Sequence, residues 1–254
     1  INIYSVIGLI ENLGVEVVDI SIGGIGDMYA FRNKELDEKI GAIINIGAET
    51  TCVSLYNKGI IVKNSILQMG GKNIDNDLAY IYKIGLDDAM KVKEKFALAH
   101  KMYAQVNDIY EVTTSYGETI KINQFEASEI AMSRLEEILT LAKKEISILS
   151  NRKIDYIMIT GGTSNMANFK YIAEDIFGKN VIIGNVKLVG IRNNRYSSAV
   201  GNIVYFINKL KLKGKEYTMV TKSEEEELSS VHKSFINISN ESMLGKVFGY
   251  FYSE

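Results

Sequence analysis

Short apolar runs bounded by glycine turns alternate along this chain with stretches of helical spacing, the pattern of an α/β protein. Residues 42–44 and 52–55 are apolar, and the small residues 45–51 join them, which predicts a β-hairpin with Gly47 at its bend. Gly47 can take a positive φ there and brings the backbone close to whatever lies above the turn. Residues 59–68 read as a third strand, broken by Gly70 and Gly71. A strand over 154–160 runs into Gly161 and Gly162, and a short one follows at 180–184. Helical spacing marks 2–13, 73–82, 86–98, 124–150, 169–177 and 196–209, with Gly14 stopping the first. Between these lie a predicted strand at 15–20, a glycine-rich turn at 21–27, and the start of a helix at 28–31. A mixed region, 100–123, is expected to hold strands at 102–106, 110–114 and 119–122.

The last 44 residues, 211–254, have a different texture. Basic 211–215, acidic 223–227 and mostly polar 229–242 predict a disordered linker over 211–240. In 241–254 the apolar Met243, Leu244, Val247, Phe248, Phe251 and Tyr252 form one stripe of a helix. A helix of that kind lies in a membrane interface, or docks in a partner groove or on itself. Its only basic residue is Lys246, against Glu241 and Glu254. Attachment would rest on apolar burial, at roughly 1.5–3 kcal/mol per fully buried side chain.

Composition narrows the field. The 254 residues carry a net charge of −2, which gives no electrostatic footprint for nucleic acid. Two histidines, His100 and His232, and one cysteine, Cys52, argue against a zinc cluster, a histidine triad or an internal disulfide. No apolar run has the length of a membrane span or signal peptide.

Candidate chemistry gathers at the turns. Thr50, Thr51 and the N–H groups of the first turn are potential anion donors. Gly161-Gly162 followed by Thr163, Ser164 and Asn165 is a strand-to-helix turn that admits a nucleotide to the backbone. Either turn could equally be plain structure. Asp88 and Lys91 lie three apart on one helix face, the spacing of a surface ion pair worth ~0–1 kcal/mol. Arg134 is spaced three residues from Glu137, as for an ion pair along one helix face.

Taken in order, GAIINIGAETT (41–51), MGGKNIDNDLAY (69–80), DDAMKVKEKFAL (87–98), ITGGTSNMANF (159–169) and RYSSAVGNI (195–203), with the striped tail, resemble the FtsA family. That resemblance implies an actin-like ATPase (ribonuclease H-like) fold. It also implies that the chain is the second half of the fold, the N-terminal part lying before Ile1. Residues 1–40 would be a remnant of subdomains 1C and 1A, 41–85 and 151–210 subdomain 2A, and 86–150 subdomain 2B. ATP with Mg²⁺ would contact Asn45, Gly47, Glu49, Thr50, Asp88, Lys91, Gly161, Gly162, Thr163 and Asn165. Arg134 would meet the C-terminal peptide of FtsZ, the tail would meet lipid, and the protein would self-associate into filaments at the cytoplasmic membrane face of the division site.

Two departures bear on the chemistry. The family's motif has an aspartate where Asn45 stands, and Asn45 cannot act as a base. Ala48 and Glu49 replace glycines, and Glu49 would repel phosphate unless Mg²⁺ or a lysine intervenes. No catalytic residue is assigned, and at most weak ATPase activity is expected. The alternatives are an active ATPase or sugar kinase of the same fold, and a pilus-assembly or chaperone-type scaffold.

Overall fold

Three antiparallel strands open the main sheet: β1 (Ile40–Ile46), β2 (Thr51–Asn57) and β3 (Ile60–Leu67). β4 (Ile109–Thr113) and β5 (Thr119–Asn123) form a separate two-stranded ribbon. β6 (Tyr156–Thr160) and β7 (Ile182–Ile183) then pair in parallel on the free side of β1, for the order β3-β2-β1-β6-β7. The structure is a computed structural model that describes residues 3–114, 117–186 and 191–215. The chain divides into two units, 1–206 and 207–254, and of the second only 207–215 is described.

Seven helices are described: α1 (Ile3–Asn12), α2 (Gly23–Phe31), α3 (Gly71–Tyr82), α4 (Leu86–Lys95), α5 (Gln124–Leu149), α6 (Phe169–Phe177) and α7 (Ser197–Leu212). α5 is the largest packing element. The Asn123 side chain caps it by accepting from the Glu126 N–H. Its buried Ala127, Ala131, Leu135, Ile138, Leu139, Ala142 and Ile146 recur every three or four residues. They pack with Ala42, Ile44, Ile46, Val53 and Leu55 of the sheet and with α3, α4 and α6 in one continuous core.

The opposite sheet face carries a smaller cluster: Ile43, Tyr56, Tyr156 and Met158 against Met28 of α2 and Leu36. Here the expectation for 21–27 fails, because 23–27 are the opening of helix α2 rather than a turn. Its glycines serve a helix crossing. A Cβ on Gly201 of α7 would lie 1.7 Å from the Gly26 carbonyl oxygen, and one on Gly26 2.2 Å from that of Ser198. Backbones in such contact need glycine on both sides, and that packing outweighs the ~1 kcal/mol each glycine costs a helix.

Other expectations also change. Residues 15–20 form no strand. The strand expected at 102–106 is instead a 3-10 turn, Lys101–Tyr103, in which the His100 ring accepts from the Met102 N–H and Tyr103 stacks on Tyr171 at 4.2 Å. Helix α7 continues through Leu212, past the expected start of the linker. The rest of that linker, from 216, and the 241–254 helix lie outside the described residues.

Candidate functional site

The turns singled out in the sequence meet. In the β1–β2 turn the Gly47 N–H donates to the Thr50 carbonyl at 2.9 Å. Gly47 does not use the positive φ open to a glycine. Its value is its carbonyl oxygen, which accepts from the Gly71 N–H at 2.9 Å and the Thr163 hydroxyl at 3.1 Å. The Ala48 carbonyl accepts from the Lys72 N–H at 2.7 Å. The first turn thus takes up donors at the N-terminus of α3 and is latched to the second turn through Thr163.

The second turn does need its glycine. Gly161 sits at φ +96°, and a Cβ there would fall 2.4 Å from the Ile46 carbonyl oxygen. Asn165 then ties the turn to the loop before α7: its Nδ2 donates to the Gly162 carbonyl and to Asn193 Oδ1, each at 2.9 Å. Together these segments wall a cleft of about 600 Å³, lined by Asn45, Gly47, Gly161, Gly162, Thr163 and Asn165 among others.

Sequence reasoning missed the charged groups of this cleft. Lys93 of α4 is buried at its floor, where its Nζ pairs with the Asp75 carboxylate at 2.8 Å and donates to the Gly71 carbonyl. Glu94 and Arg195 face each other at 3.6 Å across the rim. Behind Asn45 lies Asp27, only 3% exposed. Its carboxylate accepts from Asn45 Nδ2 at 2.9 and 2.8 Å, from Ser198 at 2.7 Å and from Ser197 at 3.0 Å. Burial pushes the Asp27 pKa above its ordinary value, and the donors from Asn45, Ser198 and Ser197 oppose that rise. Asp27 and Thr50 line a neighbouring cavity of about 390 Å³, and Asn45 borders both spaces. A signal for Asp27 existed, since an acid between glycines and Met28 is odd in an apolar segment, but the segment was read as a turn.

Several expected contacts fall elsewhere. Asp88 and Lys91 pair with each other at 2.8 Å and are not among the residues lining the cleft. The lysine that α4 turns inward is Lys93, two residues later, and three residues before it stands the uncharged Met90. The Asp88 carboxylate raises the pKa of the half-exposed Lys91 through their hydrogen bond. Glu49 is exposed at the turn's tip and paired with Lys72 at 3.2 Å, so a lysine does offset its charge. Thr51 is fully buried and donates to the Met69 carbonyl at 2.8 Å. Arg134 does more than pair with Glu137: it grips Asp77 of α3 through two bonds of 2.7 and 3.0 Å. Those residues line a groove between α3 and α5 with the exposed Tyr80 and Ile81.

A sheet of three antiparallel and two parallel strands, with a cleft over the ends of β1 and β6, defines an actin-like ATPase fold. The solved structure of MreB5 of Spiroplasma citri bound to AMPPNP has that fold, with a TM-score of 0.61 at 20% identity over 83% of this chain and 66% of that one. The chain belongs to the family described as cell division protein FtsA, whose model matches residues 42–201. The cell division protein FtsA of Bacillus subtilis is 25% identical over 219 residues, 84% of this chain and 49% of that protein. Its counterpart in Staphylococcus epidermidis is 27% identical over 204 residues, 79% of this chain and 44% of that protein. The chain therefore spans about half the length of the curated relatives it matches.

Proposed function

We propose that this chain is the nucleotide-binding and partner-binding part of a cell-division tether. ATP sits in the cleft between the two glycine turns and governs self-association into filaments. The α3–α5 groove around Arg134 holds the C-terminal peptide of FtsZ, and residues 241–254 attach the assembly to the cytoplasmic face of the membrane at the division site. In this reading 41–85 and 151–210 form the nucleotide-side subdomain 2A, and 86–150 the partner-side subdomain 2B.

The observation that carries the reading is the latch at the Gly47 carbonyl. It brings both turns to one cleft at the open ends of β1 and β6, where a phosphate chain can lie against backbone and a base can reach the rim. Asn45 at the head of the cleft supplies no base, so nucleotide is held rather than rapidly turned over.

The cleft fits Mg²⁺ in one way only. Among the described residues no three His, Cys, Asp or Glu side chains group to hold a metal. What the cleft offers is neutral oxygen from Asn45 and Thr163, with the Glu94 carboxylate at its rim. Such a set suits a hydrated Mg²⁺ whose other ligands are phosphate and water.

The test is co-sedimentation of the chain, with and without 241–254, on neutral and anionic liposomes, in the presence and absence of ATP and of an FtsZ C-terminal peptide. Tail-dependent binding that carries the peptide down with it supports the tether. Binding that ignores the tail, or a peptide left in the supernatant, overturns it.

A further inference from the structure

The Asp27–Asn45 pair is the feature that neither the resemblance nor the fold accounts for. Asp27 lies on α2, the stretch expected to be a turn, and Asn45 stands where the family motif carries an aspartate. The structure sets their side chains one hydrogen bond apart, at 2.8–2.9 Å.

The geometry fixes more than distance. An ionised carboxylate only accepts hydrogen bonds, so the Asn45 amide must turn its NH₂ toward Asp27. Its carbonyl oxygen, Oδ1, is left facing the cleft, on the side of Gly161, where a Cβ would come within 2.5 Å of it. Among the described residues every donor on Asp27 is neutral: Asn45, Ser197 and Ser198. A charge this well buried, with no cation against it among those residues, gains from any positive charge brought near. On the same sheet face, in register with Asn45 on β6, lies the Thr160 hydroxyl, buried and unpartnered among the described residues.

We propose that Asp27 and Asn45 act as one acidic ligand divided between two residues. Asp27 holds the negative charge and sets the amide, and Asn45 Oδ1 meets the hydrated divalent cation that accompanies the nucleotide's phosphates. Asp27 is thus a positioning residue that acts through Asn45. The asparagine follows from the aspartate: a second carboxylate at position 45 would put two like charges about 3 Å apart, and one would have to remain protonated. The charge expected on the strand has moved to the helix behind it. This inference rests on the nucleotide reading above.

The test is a ratio. ATP affinity of the full chain is measured by calorimetry in Mg²⁺ and in EDTA, where a coupling of about tenfold is expected between cation and nucleotide. Asp27→Asn brings that ratio to about one. The exchange Asp27→Asn with Asn45→Asp, which returns the carboxylate to the strand, restores it. A merely structural role for Asp27 would move both affinities together and leave the ratio intact, and that result, or an exchange that restores nothing, overturns the proposal. Should Asp27→Asn fail to fold, the unmutated protein decides. Its Asn45 side-chain amide resonance, assigned by its loss in Asn45→Asp, must shift when Mg²⁺ is added to the ATP-bound chain, and a resonance that stays put overturns the proposal. Absence of ATP binding in either condition removes the nucleotide reading and this inference together. ATP binding whose Mg²⁺ response ignores Asp27 removes this inference alone.

Discussion

The two faces of the central sheet are built from the same strands and do opposite work. On one face Ala42, Ile44, Ile46, Val53 and Leu55 meet α5 and its neighbours in the continuous apolar core. On the other, the alternate residues Asn45, Cys52, Ser54 and Tyr56 carry polar atoms beneath α2 and α7. Tyr56 donates to the Gly24 carbonyl at 2.6 Å, Ser54 to Asn64 at 3.0 Å, and Asn45 to Asp27. A strand's side-chain period of two lets one sequence specify a packed face and a hydrogen-bonded face at once. The difference teaches where substitutions should be felt. The first face carries the larger core; the second combines a smaller apolar cluster around Ile43 and Tyr56 with polar positions, of which Asn45 borders the cleft.

The sharpest way to break this division is to mutate each face in turn. Leu135→Ala or Ile44→Ala should cost about 2–5 kcal/mol in chemical denaturation, since each removes a fully buried side chain from the apolar core. Ser54→Ala, on the polar face, is expected to cost no more than about 1 kcal/mol. Equal costs on the two faces would contradict the comparison.

Next in size is Gly161→Ala, at the end of the strand both faces share. With φ at +96° and the Ile46 carbonyl 2.4 Å from the added Cβ, it should cost roughly 1–3 kcal/mol. The displaced turn should also lower ATP affinity about tenfold, a loss of about 1.4 kcal/mol in binding.

Both sides of the sheet share an alkaline signature, through Tyr156 on the polar side and Tyr82 beside the apolar core. Burial pushes the Tyr156 hydroxyl up to about 12, and that of Tyr82 likewise to about 12. The folded chain keeps these protons when the unfolded chain has begun to lose them, so their stabilisation is complete below pH about 10 and fades toward pH about 12. Thermal melts across that window should show a falling midpoint, and Tyr156→Phe should flatten part of the slope.

The smallest expected effects separate neighbours on α4 and α5. Arg134→Ala should cost up to about 1 kcal/mol in stability, because its pair with Asp77 is partly exposed. Binding of the FtsZ peptide should be lost with it. Lys91→Ala should fall within about 0.5 kcal/mol and leave ATP affinity unchanged. Lys93→Ala, two residues on, is the exception: it strands the buried Asp75 and should cost about 3–5 kcal/mol in stability as well as weaken ATP binding.

Much of this was legible in the chain. The hairpin around Gly47, the strand into Gly161-Gly162, α5 and α6 follow from period and glycine placement, and these position the cleft. The stretch 21–27 was not legible. Its glycines have the local look of a turn, and only the contact of Gly26 with Gly201, 175 positions away, makes helix the better state. Asp27 was hidden for the same reason. The choice of Lys93 over Lys91 depends on how α4 is rotated against α3, where Asp75 waits. Spacing of three residues locates a shared helix face, and rotation decides whether that face looks into the cleft.

Hydrogen–deuterium exchange of the full chain with and without ATP and Mg²⁺ tests the central claim most directly. The account predicts slowed exchange at 45–50, 161–166 and 193–196, the segments that wall the cleft, with the α3–α5 groove unchanged. Protection confined to other segments, or none at saturating ATP, would contradict it.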